Sequence, residues 1–149
     1  MNMKRVISYF VIVGLVLIGA VFSDTDNVLA EDSSKKEIDA VYAAQSWLSL
    51  VDSGKYSQSW EESSDLLKNA INKQAWGQTV DAVRKPLGRV ISRKADSKTY
   101  MKSLPGVPDG EYVVIEFHTS FENKKSSVET VTPKLEKDGI WRVSGYFIK

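Results

Sequence analysis

The last third of the chain, from Glu111 to Lys149, carries the pattern that constrains the fold most. Between residues 112 and 121 apolar and polar side chains alternate, and this period of two is typical of a half-buried antiparallel strand. The side chains predicted to face a core are Val113, Ile115, Phe117 and Phe121. Those predicted on the opposite face are Tyr112, Glu116, His118 and Ser120.

Three more strands complete a predicted four-stranded meander. Residues 89–98 are rich in basic side chains, which is typical of an edge strand. The strand at residues 128–136 contains Pro133, which indicates a bulge or an edge because proline donates no ladder hydrogen bond. Asp138-Gly139 is a strong hairpin signal. In the last strand the predicted inner side chains are Trp141, Val143, Gly145 and Phe147, and the predicted outer ones are Arg142, Ser144 and Tyr146.

Three helices are predicted before the sheet, over residues 34–52, 57–71 and 73–84. Ser34 followed by Glu37 fits a capping box for the first helix. Residues 63–65 are predicted to break or re-cap the second, and Pro86 ends the third, because the residue before a proline disfavours helix. Helices that precede an antiparallel sheet indicate an α+β fold, here three N-terminal helices packed on a curved four-stranded sheet.

The N-terminus has the three parts of a secretory signal peptide. Lys4 and Arg5 precede an uncharged apolar run at residues 6–22, and a small-residue pattern at Ala30 predicts cleavage before Glu31. The run approaches the length that spans a membrane, so a retained inner-membrane anchor is the alternative. In either case the rest of the chain is expected outside the cytoplasm.

These signals predict a simple organisation and a location. The chain divides into a signal peptide at 1–30, a loose lead-in at 31–36 and one α+β domain at 37–149. The protein is expected to be periplasmic or secreted, with membrane contact only through residues 6–22 if they are kept. The alternative is a protein anchored in the inner membrane and facing the periplasm.

Composition and motifs exclude several classes of function. The chain has no cysteine, which excludes disulfides, thiolate metal sites and cysteine nucleophiles. Its formal net charge of +1 argues against a dedicated nucleic-acid binder. The motifs for phosphate-binding loops, dinucleotide sites, serine hydrolases and zinc proteases are absent. We therefore expect no cofactor and no metal, and favour a protein that is not an enzyme.

Five stretches together resemble a known family: residues 47–60, 84–93, 104–112, 129–132 and 138–146. In this order they resemble the bacterial domain-of-unknown-function family 4019, whose members are mostly exported, over nearly the whole chain after the signal. The resemblance implies export but no catalytic residues. The predicted shape more loosely resembles cystatin-like and nuclear-transport-factor-like cone folds, which host enzymes, binders and dimerisation modules alike.

Two sets of residues are candidates for ligand contact. Arg84, Arg89 and Arg93 lie in a basic segment, and guanidinium groups bind carboxylates or phosphates in a bidentate way. They could instead pair within the fold, with Asp52, Asp81 or Asp109. The second set consists of aromatic side chains that either line a pocket or, as we favour, form the core: Trp47, Tyr56, Trp60 and Trp76.

A third set is a candidate interface on the outer face of the sheet. It comprises Tyr112, Glu116, His118 and Tyr146. His118 is the only histidine, and one histidine lacks the companion ligands of a metal site. We therefore expect it at the surface or in a homodimer interface.

The sequence thus leaves three hypotheses about function. The first is a non-catalytic periplasmic module that binds a small ligand or an envelope protein. The second is an isomerase or dehydratase that uses a cone pocket, which requires a tyrosine, carboxylate or histidine of shifted pKa inside it. The third is an accessory protein anchored in the inner membrane.

Overall fold

A computed structural model describes residues 24–149 of the chain. Within that range four α-helices precede four β-strands, which confirms the predicted α+β order. The helices are α1 (Asp24–Asp52), α2 (Tyr56–Glu61), α3 (Asp65–Ala70) and α4 (Lys73–Arg84), and a 3₁₀ helix follows at Lys85–Leu87. The strands are β1 (Val90–Met101), β2 (Tyr112–Phe121), β3 (Ser127–Leu135) and β4 (Trp141–Ile148).

The predicted N-terminal signal lies largely outside the described residues. Its charged end and its apolar run, residues 1–22, are among the positions that the structure does not describe. Among the helices of residues 24–149, none combines the length and the apolar character that crossing a membrane requires.

The four strands form one antiparallel sheet in the order β1-β2-β3-β4, which is the predicted meander with β1 at an edge. The connection between β3 and β4 contains Asp138 and Gly139, and Gly139 adopts a φ of 78°. A register shift lies between Thr132 and Pro133, where the proline predicted a bulge. The hairpin and the bulge are therefore both where the sequence signals placed them.

Helix α1 starts earlier than the capping box predicted. It begins at Asp24 rather than at Ser34, and residues 31–36 are helical instead of forming a loose lead-in. No proline or glycine interrupts this stretch, and Lys36 pairs with Asp32 one turn before it at 2.9 Å. Such i,i+4 pairs stabilise a helix, so the chain continues through the predicted boundary.

The second predicted helix is two short helices, because the polar residues between them cap a new start. The Ser64 hydroxyl accepts a hydrogen bond from the Leu67 N–H at 3.3 Å at the beginning of α3. Helix α4 has a similar cap, since the Asn72 side chain accepts from the Ala75 N–H at 2.9 Å. This helix has the predicted bounds and continues into the 3₁₀ turn that contains Pro86.

The core lies between the helices and one face of the sheet. From the helices it takes Ala40, Ala44, Trp47, Leu48, Val51, Leu67, Trp76 and Val80. From the sheet it takes Val113, Ile115, Phe117, Val131 and Val143. Burial of these side chains supplies the main stabilisation, at roughly 1.5–3 kcal/mol for each large one.

The predicted faces of β4 are wrong beyond Val143. Gly145 pairs with Thr132 and Val143 with Pro133, so the bulge leaves Ser144 as an extra residue and resets the alternation. Tyr146 consequently faces the helices, although it was predicted on the outer face. Phe147, predicted to face the core, is 60% exposed.

Tyr112 is on the predicted face but is not exposed. Its side chain is fully buried, and its hydroxyl donates to the Pro108 carbonyl at 2.6 Å. A Cβ on Gly110 would lie 3.4 Å from the Tyr112 ring, so the loop before β2 closes over it. Alternation gave the correct face here, but it could not reveal a loop that covers that face.

Candidate functional site

A cluster of charged and polar side chains lies where the helices meet the inner face of the sheet. We call it the ionic cluster, and each of its six members comes from a different element: Asp52 (α1), Arg84 (α4), Arg93 (β1), Thr119 (β2), Glu129 (β3) and Tyr146 (β4). Two arginines and two carboxylates balance one another in charge. The cluster therefore joins all four strands to the two longer helices.

Glu129 is the centre of the ionic cluster and is 0% exposed. Its Oε2 accepts from Arg93 Nε at 2.6 Å and from the Thr119 hydroxyl at 2.6 Å. Its Oε1 accepts from the Tyr146 hydroxyl at 2.6 Å and from Arg93 Nη2 at 3.2 Å. A carboxylate has about four acceptor sites, so these four donors use its full capacity.

Asp52 joins the two arginines at the rim of the cluster. Arg93 donates to both of its oxygens, at 2.6 and 3.0 Å, and Arg84 Nη2 donates to Oδ1 at 2.8 Å. Burial alone would raise the pKa of the Asp52 carboxyl, but the hydrogen bonds and charges of Arg93 and Arg84 outweigh it and lower that pKa. Asp52 is one of the partners that the sequence suggested for these arginines, and it stays ionised.

Arg84 and Tyr146 complete the cluster on its apolar side. The guanidinium of Arg84 lies 4.9 Å from the centre of the Phe121 ring and donates to the Tyr146 hydroxyl at 3.3 Å. Burial, and then the nearby Glu129 carboxylate, raise the pKa of Tyr146 well above its usual value. Tyr146 therefore remains a neutral hydrogen-bond donor at any physiological pH.

The four candidate aromatic residues do not surround a common pocket. Trp47 and Trp76 are buried, and their indole N–H groups donate to Ser59, at 2.8 Å to its carbonyl and at 3.0 Å to its hydroxyl. Trp60 is partly buried and donates to the Ile71 carbonyl at 2.8 Å. Tyr56 is partly buried against the core and also lines a cleft beside Arg84. All four aromatic residues therefore pack in or against the core.

The cleft beside Arg84 carries balanced charge. It has a volume of about 370 Å³. Arg84, Lys85 and Arg89 contribute positive charge, and the same walls contain Asp52, Asp81 and Glu122. Arg89 itself is 82% exposed and contacts Glu122 at 3.4 Å. With one carboxylate for each cation, the cleft does not select for an anion.

The four candidate interface residues are not one patch. His118 is exposed on the outer face, between Lys94 of β1 and Val128 of β3. Glu116 is half-buried on the same face and accepts from the Ser97 hydroxyl at 3.4 Å. Tyr112 and Tyr146 are excluded from that surface by the loop and the bulge described above.

A groove between α1 and β1 exposes apolar side chains. We call it the α1–β1 groove; it has a volume of about 280 Å³, and its walls include Ile38, Val41, Tyr42 and residues 95–98. Ile38 is 46% exposed and Tyr42 is 66% exposed. Both residues belong to an apolar stripe of α1 and lie where that stripe passes beside β1.

Comparison with known protein families shows which family this chain belongs to. A family model described as "Protein of unknown function (DUF4019)" matches residues 43–146. The chain belongs to the DUF4019 family. No curated protein and no solved structure matches it.

The DUF4019 match contains all of the ionic cluster but only part of the α1–β1 groove. All six members of the ionic cluster lie within residues 43–146. Ile38 and Tyr42 come just before the match, in the part of α1 that extends beyond it. The ionic cluster is thus part of the DUF4019 domain itself, and the groove combines that domain with the preceding helical segment.

Proposed function

We propose that this DUF4019 protein is an exported, non-catalytic interaction module that holds another protein at the α1–β1 groove. The observation that carries the proposal is the exposure of Ile38 and Tyr42 beside the free edge of β1. Exposed apolar side chains that adjoin one another are typical of surfaces that bind a partner. The export half of the proposal rests on the N-terminal sequence and on its cleavage pattern at Ala30 and Glu31.

The ionic cluster supports a structural role better than a catalytic one. An enzyme of the isomerase or dehydratase type needs an acid or base that faces its substrate. Tyr146 and Glu129 have the burial of such groups, but each is hydrogen-bonded to the other. Arg93 and Asp52 are paired in the same way. A substrate would have to replace several charge-assisted hydrogen bonds to reach any of these atoms.

Site-specific photocrosslinking in the producing cell tests the interaction. A photoreactive amino acid at position 42 is expected to give a discrete adduct whose yield falls when Ile38 is changed to serine. The same amino acid at position 147 is the control, because Phe147 is similarly exposed but lies on the opposite edge strand. Equal yields at the two positions, or none at position 42, would contradict a partner in the groove.

The mass of the native N-terminus tests export and anchoring. Cleavage predicts a mature protein that begins at Glu31 and fractionates with the periplasm or the medium. A protein that keeps residues 6–22 and stays with the inner membrane would support the anchored alternative. An uncleaved protein in the cytosol would contradict both.

A further inference from the structure

A further cleft lies between α1, the end of α2 and the start of β4. It has a volume of about 390 Å³, which is within the size range of small-molecule sites. Its apolar walls include Trp47, Ile140 and Trp141. Trp141 is partly buried against the core, and Ile140 is 52% exposed. We call it the Trp141 cleft; it offers indole and aliphatic surface to a ligand.

Two of the three charged residues that line the Trp141 cleft are neutralised by partners. Glu61 pairs with Lys73 of α4 at 2.5 Å. Arg142 donates through two nitrogens to Asp138, at 2.9 and 2.8 Å. These two charges therefore contribute little to the selection of a ligand.

Glu62 is the third charged residue of the cleft, and its charge is not compensated. It is exposed directly after α2, and no ion pair among residues 24–149 includes it. Within that range its carboxylate accepts one side-chain hydrogen bond, from the Gln58 amide to Oε1 at 2.8 Å. A carboxylate has about four acceptor sites, so most of its capacity is unused. With two glutamates and one arginine in its walls, the cleft carries a net charge of −1 beside an apolar surface.

This combination favours an organic cation over other ligands. Indole rings attract ammonium and guanidinium groups through their electron-rich faces, and a carboxylate accepts charge-assisted hydrogen bonds from the same groups. An anion would be repelled by Glu62, and a neutral apolar molecule would cover its carboxylate without supplying a donor. One unpaired carboxylate is too few to hold a metal ion.

We propose that the Trp141 cleft binds an organic cation, in the form of an ammonium or guanidinium group at the end of a short aliphatic chain. The cationic group lies at Glu62, and the chain packs on Trp141 and Ile140. A free alkylamine and the side chain of a lysine or arginine of another protein share this chemistry. The inference does not depend on the α1–β1 groove, so it goes beyond the proposed function.

Nuclear magnetic resonance with three small probes tests the selection by charge. The probes are n-pentylammonium, 1-pentanol and pentanoate, which have the same chain length and differ in charge. The readout is the chemical shift of the Trp141 indole N–H, assigned with Trp141→Phe, in the protein purified from the producing cell. We expect pentylammonium to bind at least roughly tenfold more tightly than pentanol, and pentanoate to bind more weakly than both. Equal affinities for the ammonium and the alcohol would overturn the proposal.

A pair of glutamine variants tests the role of Glu62. Glu62→Gln is expected to lower the affinity for pentylammonium to that for pentanol. Glu122→Gln is the control, because it removes the same charge at the Arg89 pair, outside the Trp141 cleft. We expect it to change the affinity by less than about twofold, since distant exposed charges are screened by salt. Equal losses in the two variants would show that only the net charge of the protein matters, and the proposal would be wrong. If Glu62→Gln does not fold, the three probes still decide in the unchanged protein.

Two short peptides distinguish the source of the cation. Both are acetylated and amidated; one has a single lysine between glycine and serine residues, and the other has norleucine in place of the lysine. Binding of the lysine peptide, but not of the norleucine peptide, more tightly than pentylammonium would support a side chain of a partner protein. Binding of pentylammonium alone would support a free alkylamine. The absence of a saturable shift with either cation up to roughly 10 mM would overturn the proposal.

Discussion

Arg93 and Glu129 form an ion pair across an intervening strand. Arg93 lies on β1 and Glu129 on β3, yet Arg93 Nε donates to Glu129 Oε2 at 2.6 Å. Thr119 of β2 is the register partner of Arg93, and its hydroxyl donates to the same oxygen. A small side chain at position 119 lets the arginine pass over β2, so three neighbouring strands share one carboxylate.

Removing the charge of Glu129 should destabilise the protein strongly. Glu129→Gln keeps the size of the side chain but leaves the buried Arg84 and the partly buried Arg93 with one carboxylate between them. Loss of one partner of a buried ion pair costs about 3–5 kcal/mol, and we expect the free energy of unfolding in urea to fall by that amount. The control is Glu122→Gln, which removes the exposed partner of Arg89 and should change stability little. Similar losses in the two variants would contradict a central role for Glu129.

The hydroxyl of Tyr146 should contribute more to the free energy of unfolding than the hydroxyl of a surface tyrosine does. Tyr146→Phe leaves Glu129 without one donor and Arg84 Nη1 without an acceptor, and an unsatisfied buried group costs about 1–3 kcal/mol. Tyr42→Phe is the matched control, because the Tyr42 side chain is exposed. Thermal and urea unfolding of the two variants measure the difference. If the Tyr146→Phe protein is as stable as the Tyr42→Phe protein, the hydrogen bonds of the Tyr146 hydroxyl do not stabilise the fold.

Acid should weaken the fold through Asp52. The folded protein lowers the pKa of this carboxyl below its ordinary value of 3.8. The contribution of Asp52 to the free energy of unfolding is therefore complete above pH 3.8, the ordinary pKa. It is lost as the pH falls from there through the lower folded pKa, because the unfolded chain binds more protons than the folded one in that range. Urea unfolding between pH 7 and pH 2 should show the loss beginning near pH 4.

Asp52→Asn supplies the control for the acid effect. The variant should be less stable at neutral pH and should lose less of its remaining stability on acidification. Asp96→Asn, in the bulged part of β1, should keep the acid profile of the unchanged protein. If Asp52→Asn keeps that profile as well, another carboxylate is responsible for acid unfolding.

The outline of the fold was predictable because it depends on local signals. The alternation in β2, the hairpin at Gly139 and the bulge at Pro133 each arise from a few neighbouring residues. The consequence of the bulge for Tyr146 was not predictable from alternation, because one extra residue exchanges the two faces of a strand.

The ionic cluster was predictable only in part. The sequence suggested Asp52 as a partner for the arginines, but it could not choose between Asp52, Asp81 and Asp109. Glu129 was missed because a charged side chain is not expected on the inner face of a sheet. Its position two residues before the buried Val131 is the one signal that could have indicated its direction.

Gly88 should tolerate alanine less well than Gly54 does. Both glycines have positive φ, 73° and 70°, and that region disfavours side chains. A Cβ on Gly88 would also lie 3.0 Å from the Glu122 Cβ, whereas a Cβ on Gly54 would meet nothing within 4 Å. Gly54→Ala should therefore cost only the conformational strain, about 1–2 kcal/mol. Gly88→Ala should cost more and should shift the turn from which β1 carries Arg93 into the ionic cluster. Equal melting temperatures for the two variants would show that Glu122 moves aside without cost.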